Sequence, residues 1–352
     1  MKVEEALGKK LAYDVTLITE NYKGAILRRG HVITLKDIDV LKKSGHHIVF
    51  VEDEVDEKVV HEDEAVYSLA KQLAGEGVYV KRAPEGKAVL KAAYDGLFKV
   101  NDRVLYEINY RGLFVVISRR TDSPVRENDM LAVVDLIPLT IPVNDFEKHL
   151  EFARKNYPVF MVKKFARKSV GVVVTGTEVY EELIEDKASD RVEEKVRRYR
   201  GYVAEKTIVP DDEVRIREAI LDFIRKYDLV IVTGGMSVDP TDKTPKAIAS
   251  TGAKIVAYGI PVKPTTMSLI AYYGEKPIIG VSSGIIFFKE ENVLDVLLPK
   301  IMANEKWTRE EIASLGHGGI MPTFLKKYGK HRAHVGIKDK INNVKPQNIQ
   351  TG

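Results

Sequence analysis

Ser169-Val170-Gly171-Val172-Val173-Val174-Thr175-Gly176-Thr177-Glu178 is the stretch that decides the architecture. Its apolar run shows no polar alternation, which is how a strand covered on both faces of a parallel sheet reads, and it stops at small, hydroxylated residues suited to a tight turn. Beyond it, strand and helix periods alternate. Tyr202 to Val209 reads as a strand, and Val214, Ile216, Ala219, Ile220, Phe223 and Ile224 fall in helical register. Leu229-Val230-Ile231-Val232 follows, then the turn Thr233-Gly234-Gly235 and a helix after Thr244-Pro245. Strands at Lys254 to Ala257 and Pro277 to Val281 and a closing helix from Val293 to Leu298 complete the series. This βαβ succession predicts an α/β domain, a doubly wound and mostly parallel sheet, over residues 166–303.

Upstream, the pattern predicts a β-rich α+β region. Residues 1–75 form an entry module: a short strand near Gly30, a helix capped by Thr34 and ended at Gly45, a strand through Ile48-Val49-Phe50-Val51, and an amphipathic helix from His61 to Ala74. In residues 76–150, β-rich runs (Lys87 to Leu90, Gly96 to Val100, Leu113 to Ser118, Met130 to Val134) are separated by Asp95-Gly96, Asn101-Asp102 and Asn128-Asp129. That spacing suggests a small β-barrel or sandwich-like domain, with Asn144 to Tyr157 as a connecting helix before Pro158.

The 352 residues contain no cysteine, which removes disulfides, thiolate metal sites and thiol nucleophiles, and leaves carboxylates, histidines, hydroxyls and backbone amides. No run approaches a membrane span and the N-terminus has no apolar signal core, so a cytoplasmic protein is the expectation. The net charge of +4 is local: residues 321–352 hold seven basic residues against Asp339, leaving −2 on the other 320. Residues 304–352 are set apart as a basic C-terminal tail, whose charged stretch 321–352 has no aromatic ladder or base-reading motif and so reads as a solvated extension and not as a nucleic-acid arm.

In a doubly wound sheet, ligands bind outside the carboxyl ends of the strands. Three loops end there: Thr175-Gly176-Thr177-Glu178, Thr233-Gly234-Gly235-Met236-Ser237 and Gly280-Val281-Ser282-Ser283-Gly284. Glycine lets the backbone approach a ligand, while hydroxyls and amides can hold phosphate oxygens, so the composition suits a phosphorylated ligand; the plainer reading is three tight turns. Asp186, Asp211 and Asp242 follow these strands, and carboxylates beside a phosphate call for an intervening cation such as Mg²⁺. Asp211 also suits a helix cap after Pro210, and Asp239 before Pro240 suits an Asx turn. His317 between glycines and His46-His47 at a helix end are explained without a metal, and neither a Ser-His-Asp order nor a His-Glu-x-x-His pattern is present.

Thr233-Gly234-Gly235-Met236-Ser237-Val238-Asp239-Pro240-Thr241-Asp242-Lys243-Thr244-Pro245 closely resembles the Gly-Gly-x-Ser/Gly…Asp-x-Thr-Pro signature of molybdopterin-binding domains in molybdenum-cofactor biosynthesis proteins. Thr175-Gly176-Thr177-Glu178-Val179-Tyr180, Ile208-Val209-Pro210-Asp211-Asp212 and Val262-Lys263-Pro264 resemble further steps of that pattern, and Gly30 to Val51 resembles a segment of the molybdenumtransferases. The resemblance implies pterin contacts from Thr175, Gly176, Thr177, Glu178, Gly234, Gly235, Met236, Ser237, Lys263, Pro264, Ser282, Ser283 and Gly284. It implies catalytic roles for Asp242 and Asp211, and Asp242 with Asp186 are the candidate Mg²⁺ ligands. The chain departs from the pattern where Ser282-Ser283 replaces a Pro-Gly, where Pro264 lacks a following Gly, and where Gly316-His317-Gly318-Gly319 leads into a Cys-free tail.

The implied function is binding of molybdopterin or adenylylated molybdopterin, with Mg²⁺-dependent insertion of molybdate or tungstate. The rivals are a non-catalytic carrier or sensor of the cofactor and a competence-damage-type nucleotide pyrophosphatase. A homo-oligomer, and a molybdoenzyme or cofactor-biosynthesis protein as partner, belong to the same expectation.

Overall fold

A computed structural model describes residues 1–52, 58–237 and 242–329, so Asp239-Pro240 and the basic tail beyond residue 329 lie outside the described residues. The chain divides into two compact units, Met1–Lys164 and Phe165–Gly352. No helix among the described residues is long and apolar enough to cross a membrane.

The first unit begins with a small module whose core is Val3, Ala6, Leu11, Val15, Ile33, Leu41 and Val49. Its helix Leu35–Lys43 starts in a capping box, in which Thr34 and Asp37 exchange side-chain and backbone hydrogen bonds, and it stops at Gly45 with φ of 85°. The strands expected around Gly30 and Ile48 are reduced to isolated bridges, Lys10 with Val32 and Leu11 with Val51 among them.

The rest of the unit is built on a four-stranded antiparallel sheet in the spatial order Val78–Ala83, Lys87–Ala92, Met130–Leu136, Phe114–Ser118. A three-stranded sheet places Gly96–Val100 between Phe160–Lys164 and Ser123–Val125. Helices Glu62–Leu73 and Val143–Lys155 bury Leu69, Leu73, Phe146 and Leu150 in its core. A third helix, Asp102–Arg111, interrupts the series of strands that suggested a barrel or sandwich. Asn101, which reads as a turn residue, is its cap: the Asn101 carboxamide oxygen accepts from Val104 N at 3.2 Å. Only Val104 and Ile108 of that helix are buried, so its helical period is faint in the sequence.

The second unit is the doubly wound domain. Its strands are β1 (Ser169–Thr175), β2 (Tyr202–Val209), β3 (Leu229–Thr233), β4 (Lys254–Tyr258), β5 (Leu269–Tyr273) and β6 (Lys276–Val281), in the spatial order 2-1-3-6-5-4. Strands β2, β1, β3 and β6 run parallel, while β5 is antiparallel to both neighbours. Burial follows position. Every residue of β3 is buried, whereas the edge strand β2 carries the exposed Glu205 and Lys206.

Its helices are α1 (Thr177–Tyr180), α2 (Ala188–Arg198), α3 (Glu213–Lys226), α4 (Thr244–Ser250), α5 (Val293–Met302), α6 (Arg309–Ser314) and α7 (Pro322–Gly329). Helix α3 packs Ile216, Ile220, Phe223 and Ile224 into one core with Val173, Val230 and Val232. The chain leaves β1 for β2 on one side and then crosses to β3 on the other. The carboxyl ends of β1 and β3 therefore flank a topological switch point, where such sheets open a crevice.

Candidate functional site

The turn after β1 and the turn after β3 face each other across that crevice and are pinned together by threonines. Thr175 Oγ1 donates to Thr233 O at 3.2 Å and stands 3.1 Å from Thr244 Oγ1, which donates to Gly234 O at 2.9 Å. All three threonines are buried. Gly234, with φ of 95°, closes the approach: a Cβ there would lie 2.2 Å from Thr175 O, so no other residue keeps both the turn and the contact.

The two aspartates at the lips tie one loop each. Asp211 Oδ2 accepts from Thr177 N at 2.9 Å, joining the end of β2 to α1, while its Oδ1 faces the position of Gly235. The cap of α3 is its neighbour Asp212, whose carboxylate accepts from Arg215 N at 2.9 Å. Asp242 Oδ2 accepts from Ser237 N at 2.6 Å. Tyr258, at the end of β4, donates its hydroxyl to Met236 O at 2.8 Å. Burial first, and then the charge of Asp242, push that hydroxyl up, which keeps it protonated as a donor.

Between these loops lies a cleft of about 230 Å³ lined by Thr175, Gly176, Glu178, Asp186, Asp211, Gly234, Gly235, Asp242 and Ser283 among others. The remaining sequence candidates sit elsewhere. Thr177 and Ser237 present their amides to the two aspartates. Met236 is 2% exposed and belongs to the apolar core beside Ile248, so its side chain is packing and not a ligand contact. Ser282 directly precedes the 3₁₀ turn Ser283–Ile286, in which Gly284 lies, and makes no side-chain capping hydrogen bond to it. Lys263 and Pro264 do not line the cleft; Lys263 bridges to Ile320 instead.

Asp186 lines the cleft, but its oxygens are committed. Oδ1 accepts from Ala188 N at 3.0 Å and Ser189 N at 3.1 Å, and Oδ2 from the Ser189 hydroxyl and from Lys206 Nζ at 3.2 Å. Burial pushes the Asp186 carboxyl up, yet the Ser189 and Lys206 hydrogen bonds outweigh it and hold the group below the usual carboxylate range. Among the described residues no group of three or more His, Asp or Glu side chains is arranged to hold a metal ion. Sequence reasoning missed Ile184, Glu185, Lys187 and Ile286, which also line the cleft. Thr244, the buried fastener of the β3 turn, was legible as part of the Asp-x-Thr-Pro run.

Comparison with known proteins adds three findings. A family model described as "Probable molybdopterin binding domain" matches residues 171–301, and a domain of unknown function, DUF8806, matches residues 1–53. Curated proteins gave no match. Among solved structures, the chain is similar to the molybdopterin biosynthesis enzyme MoaB of Thermus thermophilus at 17% identity and a TM-score of 0.34, over 40% of this chain and 99% of that one. The tungsten cofactor synthesizing protein MoaB of Pyrococcus furiosus matches at 20% identity and 0.32, over 40% and 93%. The molybdopterin biosynthesis Mog protein of Mycobacterium ulcerans matches at 22% identity and 0.33, over 39% and 95%. The family match spans the switch-point sheet from β1 through α5 and includes both aspartate-tied loops, so over residues 171–301 the chain is similar to the probable molybdopterin binding domain.

Proposed function

We propose that the switch-point cleft binds molybdopterin, free or adenylylated, and that the protein acts in molybdenum or tungsten cofactor biosynthesis by supporting Mg²⁺-dependent metal insertion. The observation that carries this reading is the placement of Asp211 and Asp242 at the lips of a glycine- and hydroxyl-lined crevice, Asp211 holding the turn that faces it and Asp242 closing its own loop on Ser237. The carboxylates Glu178, Glu185, Asp186, Asp211 and Asp242 outnumber Lys187, so a phosphate entering the cleft meets repulsion unless a cation accompanies it.

The donor set fits Mg²⁺ held jointly with substrate. Asp211 and Asp242 supply the one or two hard carboxylates this ion takes when phosphate oxygens and water complete its shell, and no all-protein cage is needed. When bound, Mg²⁺ would neutralise phosphate charge and polarise the bond to a leaving group. The chain's own contribution is positional. Turns closed by Thr175, Gly234 and Thr244 fix the amides that receive the anion, and Asp211 and Asp242 fix the loops carrying Thr177 and Ser237. A homo-oligomer, and transfer to a molybdoenzyme or another biosynthesis protein, are part of the proposal.

A carrier or sensor is the second reading, favoured by one observation: one oxygen of each aspartate already accepts a loop amide, which is a structural duty requiring no turnover. Titration calorimetry with molybdopterin and its adenylylated form, with and without Mg²⁺ and molybdate, followed by assay of released AMP, separates the readings. The insertion reading expects Mg²⁺-dependent AMP release that Asp242→Asn abolishes, with affinity kept within about threefold because an asparagine oxygen still accepts from Ser237 N. Tight binding without release establishes the carrier. No binding of either form sinks the molybdopterin reading and turns attention to nucleotide pyrophosphates.

A further inference from the structure

The family match ends at residue 301, but the chain folds back onto the domain beyond that point. Lys263 N donates to Gly319 O at 2.8 Å and Met321 N donates to Lys263 O at 2.9 Å, a short parallel pairing at Ile320. Gly319 passes so near Pro261 that a Cβ would lie 2.2 Å from the Pro261 carbonyl oxygen, which makes glycine a condition of this contact. Immediately afterwards α7 begins. Its first turn is fastened by Glu291, whose Oε2 accepts from Thr323 N at 3.0 Å and from Thr323 Oγ1 at 2.8 Å. Phe324 packs on Phe288 with ring centroids 5.9 Å apart, and Lys327 Nζ lies 4.6 Å from the centroid of the Phe288 ring.

Phe288, gripped in this way, and its neighbour Phe287 close the third loop of the cleft. Phe287 N and Phe288 N donate to Gly284 O at 3.1 and 3.2 Å, completing the turn Ser283–Ile286, of which Ser283 and Ile286 line the cleft. A second tie is Thr265, next to Pro264: its Oγ1 accepts from Val293 N at 3.0 Å, and its Cγ2 lies 3.5 Å from where a Cβ on Gly284 would stand. Ser282-Ser283-Gly284 contains no proline to fix its backbone, so its conformation depends on what holds it from outside.

We propose that residues 319–329 brace the third loop of the cleft, and that Glu291 is a positioning residue acting through Phe287 and Phe288 on the turn Ser283–Ile286. The ligand arm of the test rests on the reading of the cleft as a molybdopterin site; the exchange arm does not. Full-length Glu291→Ala, Glu291→Gln and Thr323→Val are compared by amide hydrogen exchange at Ile285, Phe287 and Phe288 without ligand, and by calorimetric titration with molybdopterin and Mg²⁺. Glu291→Ala is expected to speed exchange at those amides and weaken binding by about tenfold, the scale seen when an orienting partner is lost, at an unchanged unfolding temperature. Glu291→Gln keeps an acceptor oxygen and restores both readouts, which a loss of bulk packing would not explain. Thr323→Val removes one donor at constant volume, shifts both readouts in the same direction by a smaller factor, and decides the matter should Glu291→Ala unfold. Unchanged exchange in Glu291→Ala and Thr323→Val overturns the brace, and faster exchange with unchanged affinity overturns the positioning role. Failure of the wild-type chain to bind molybdopterin overturns the reading of the cleft, while the exchange comparison still decides the brace.

Discussion

Asp186, Asp211 and Asp242 are alike as letters and differ in what their oxygens do. Asp186 spends both oxygens on Ala188, Ser189 and Lys206, so it anchors the start of α2 and the edge strand β2 and has little left for a cation. Its depressed carboxyl has a signed consequence for stability. A carboxyl whose folded value lies below its ordinary 3.8 stabilises the fold in full above that value, and loses the contribution as the pH falls through the folded value. Asp186→Ala should therefore lower stability by about 1 to 2 kcal/mol near neutrality, the usual cost of a lost cap. Below about pH 4 the deficit relative to wild type should shrink, since there the wild-type carboxyl gains a proton as well. Denaturant melts of both proteins from pH 7 to pH 3 check this, and a deficit independent of pH would show that the charge of Asp186 contributes nothing.

Between elements, a buried polar connection in the second unit joins α2 to α5. Lys195 is 0% exposed; its Nζ donates to Asp295 Oδ2 at 2.7 Å and to Glu290 O at 2.8 Å. Asp295 also receives Arg198 and the Tyr199 hydroxyl, each at 3.1 Å, and caps its own helix by accepting from Asn292 N at 3.0 Å. Removing Lys195 leaves a carboxylate and a carbonyl facing a cavity, so Lys195→Ala should cost about 3 kcal/mol, the lower end for breaking a buried pair because Arg198 still reaches Asp295. A urea midpoint shifted by well under that amount would assign the lysine to packing. Such connections are also where the sequence is least legible. Burial pattern alone places β1, β3 and β6, because a strand covered on both faces must be continuously apolar. The same logic passes over Asp102–Arg111, which buries two residues, and over Leu269–Tyr273, whose hairpin with β6 turns at Gly274 without alternation to mark it. In the cleft, the glycines and the aspartates were legible from turn chemistry and from the quoted motifs. That Met236 is core, that Asp212 and not Asp211 caps α3, and that Asp186 is fully engaged depend on which partner each side chain reaches, and composition does not carry that information.

At the scale of the molecule, each unit carries its own core. Phe98, Phe114, Phe160, Leu69 and Leu90 are buried within the first, while Val173, Ile220, Phe223, Val230 and Val232 are buried within the second. The second unit also closes on itself, since Ala166 N donates to Met302 O at 2.7 Å at the end of α5. A compact unit with its own core can fold alone, so fragments 1–164 and 165–352 should each fold and unfold cooperatively. The cleft, its aspartates and the segment that braces its third loop all lie within 165–352. A ligand that binds only the folded cleft stabilises by RT ln(1 + [L]/Kd), about 2.7 kcal/mol at a hundredfold excess over Kd. Molybdopterin with Mg²⁺ should therefore raise the unfolding transition of 165–352 by that amount, in the fragment and in the full chain alike, and leave 1–164 where it was. Stabilisation of the full chain without stabilisation of the fragment would show that the first unit supplies part of the binding site, and would move the search for the remaining ligand contacts there.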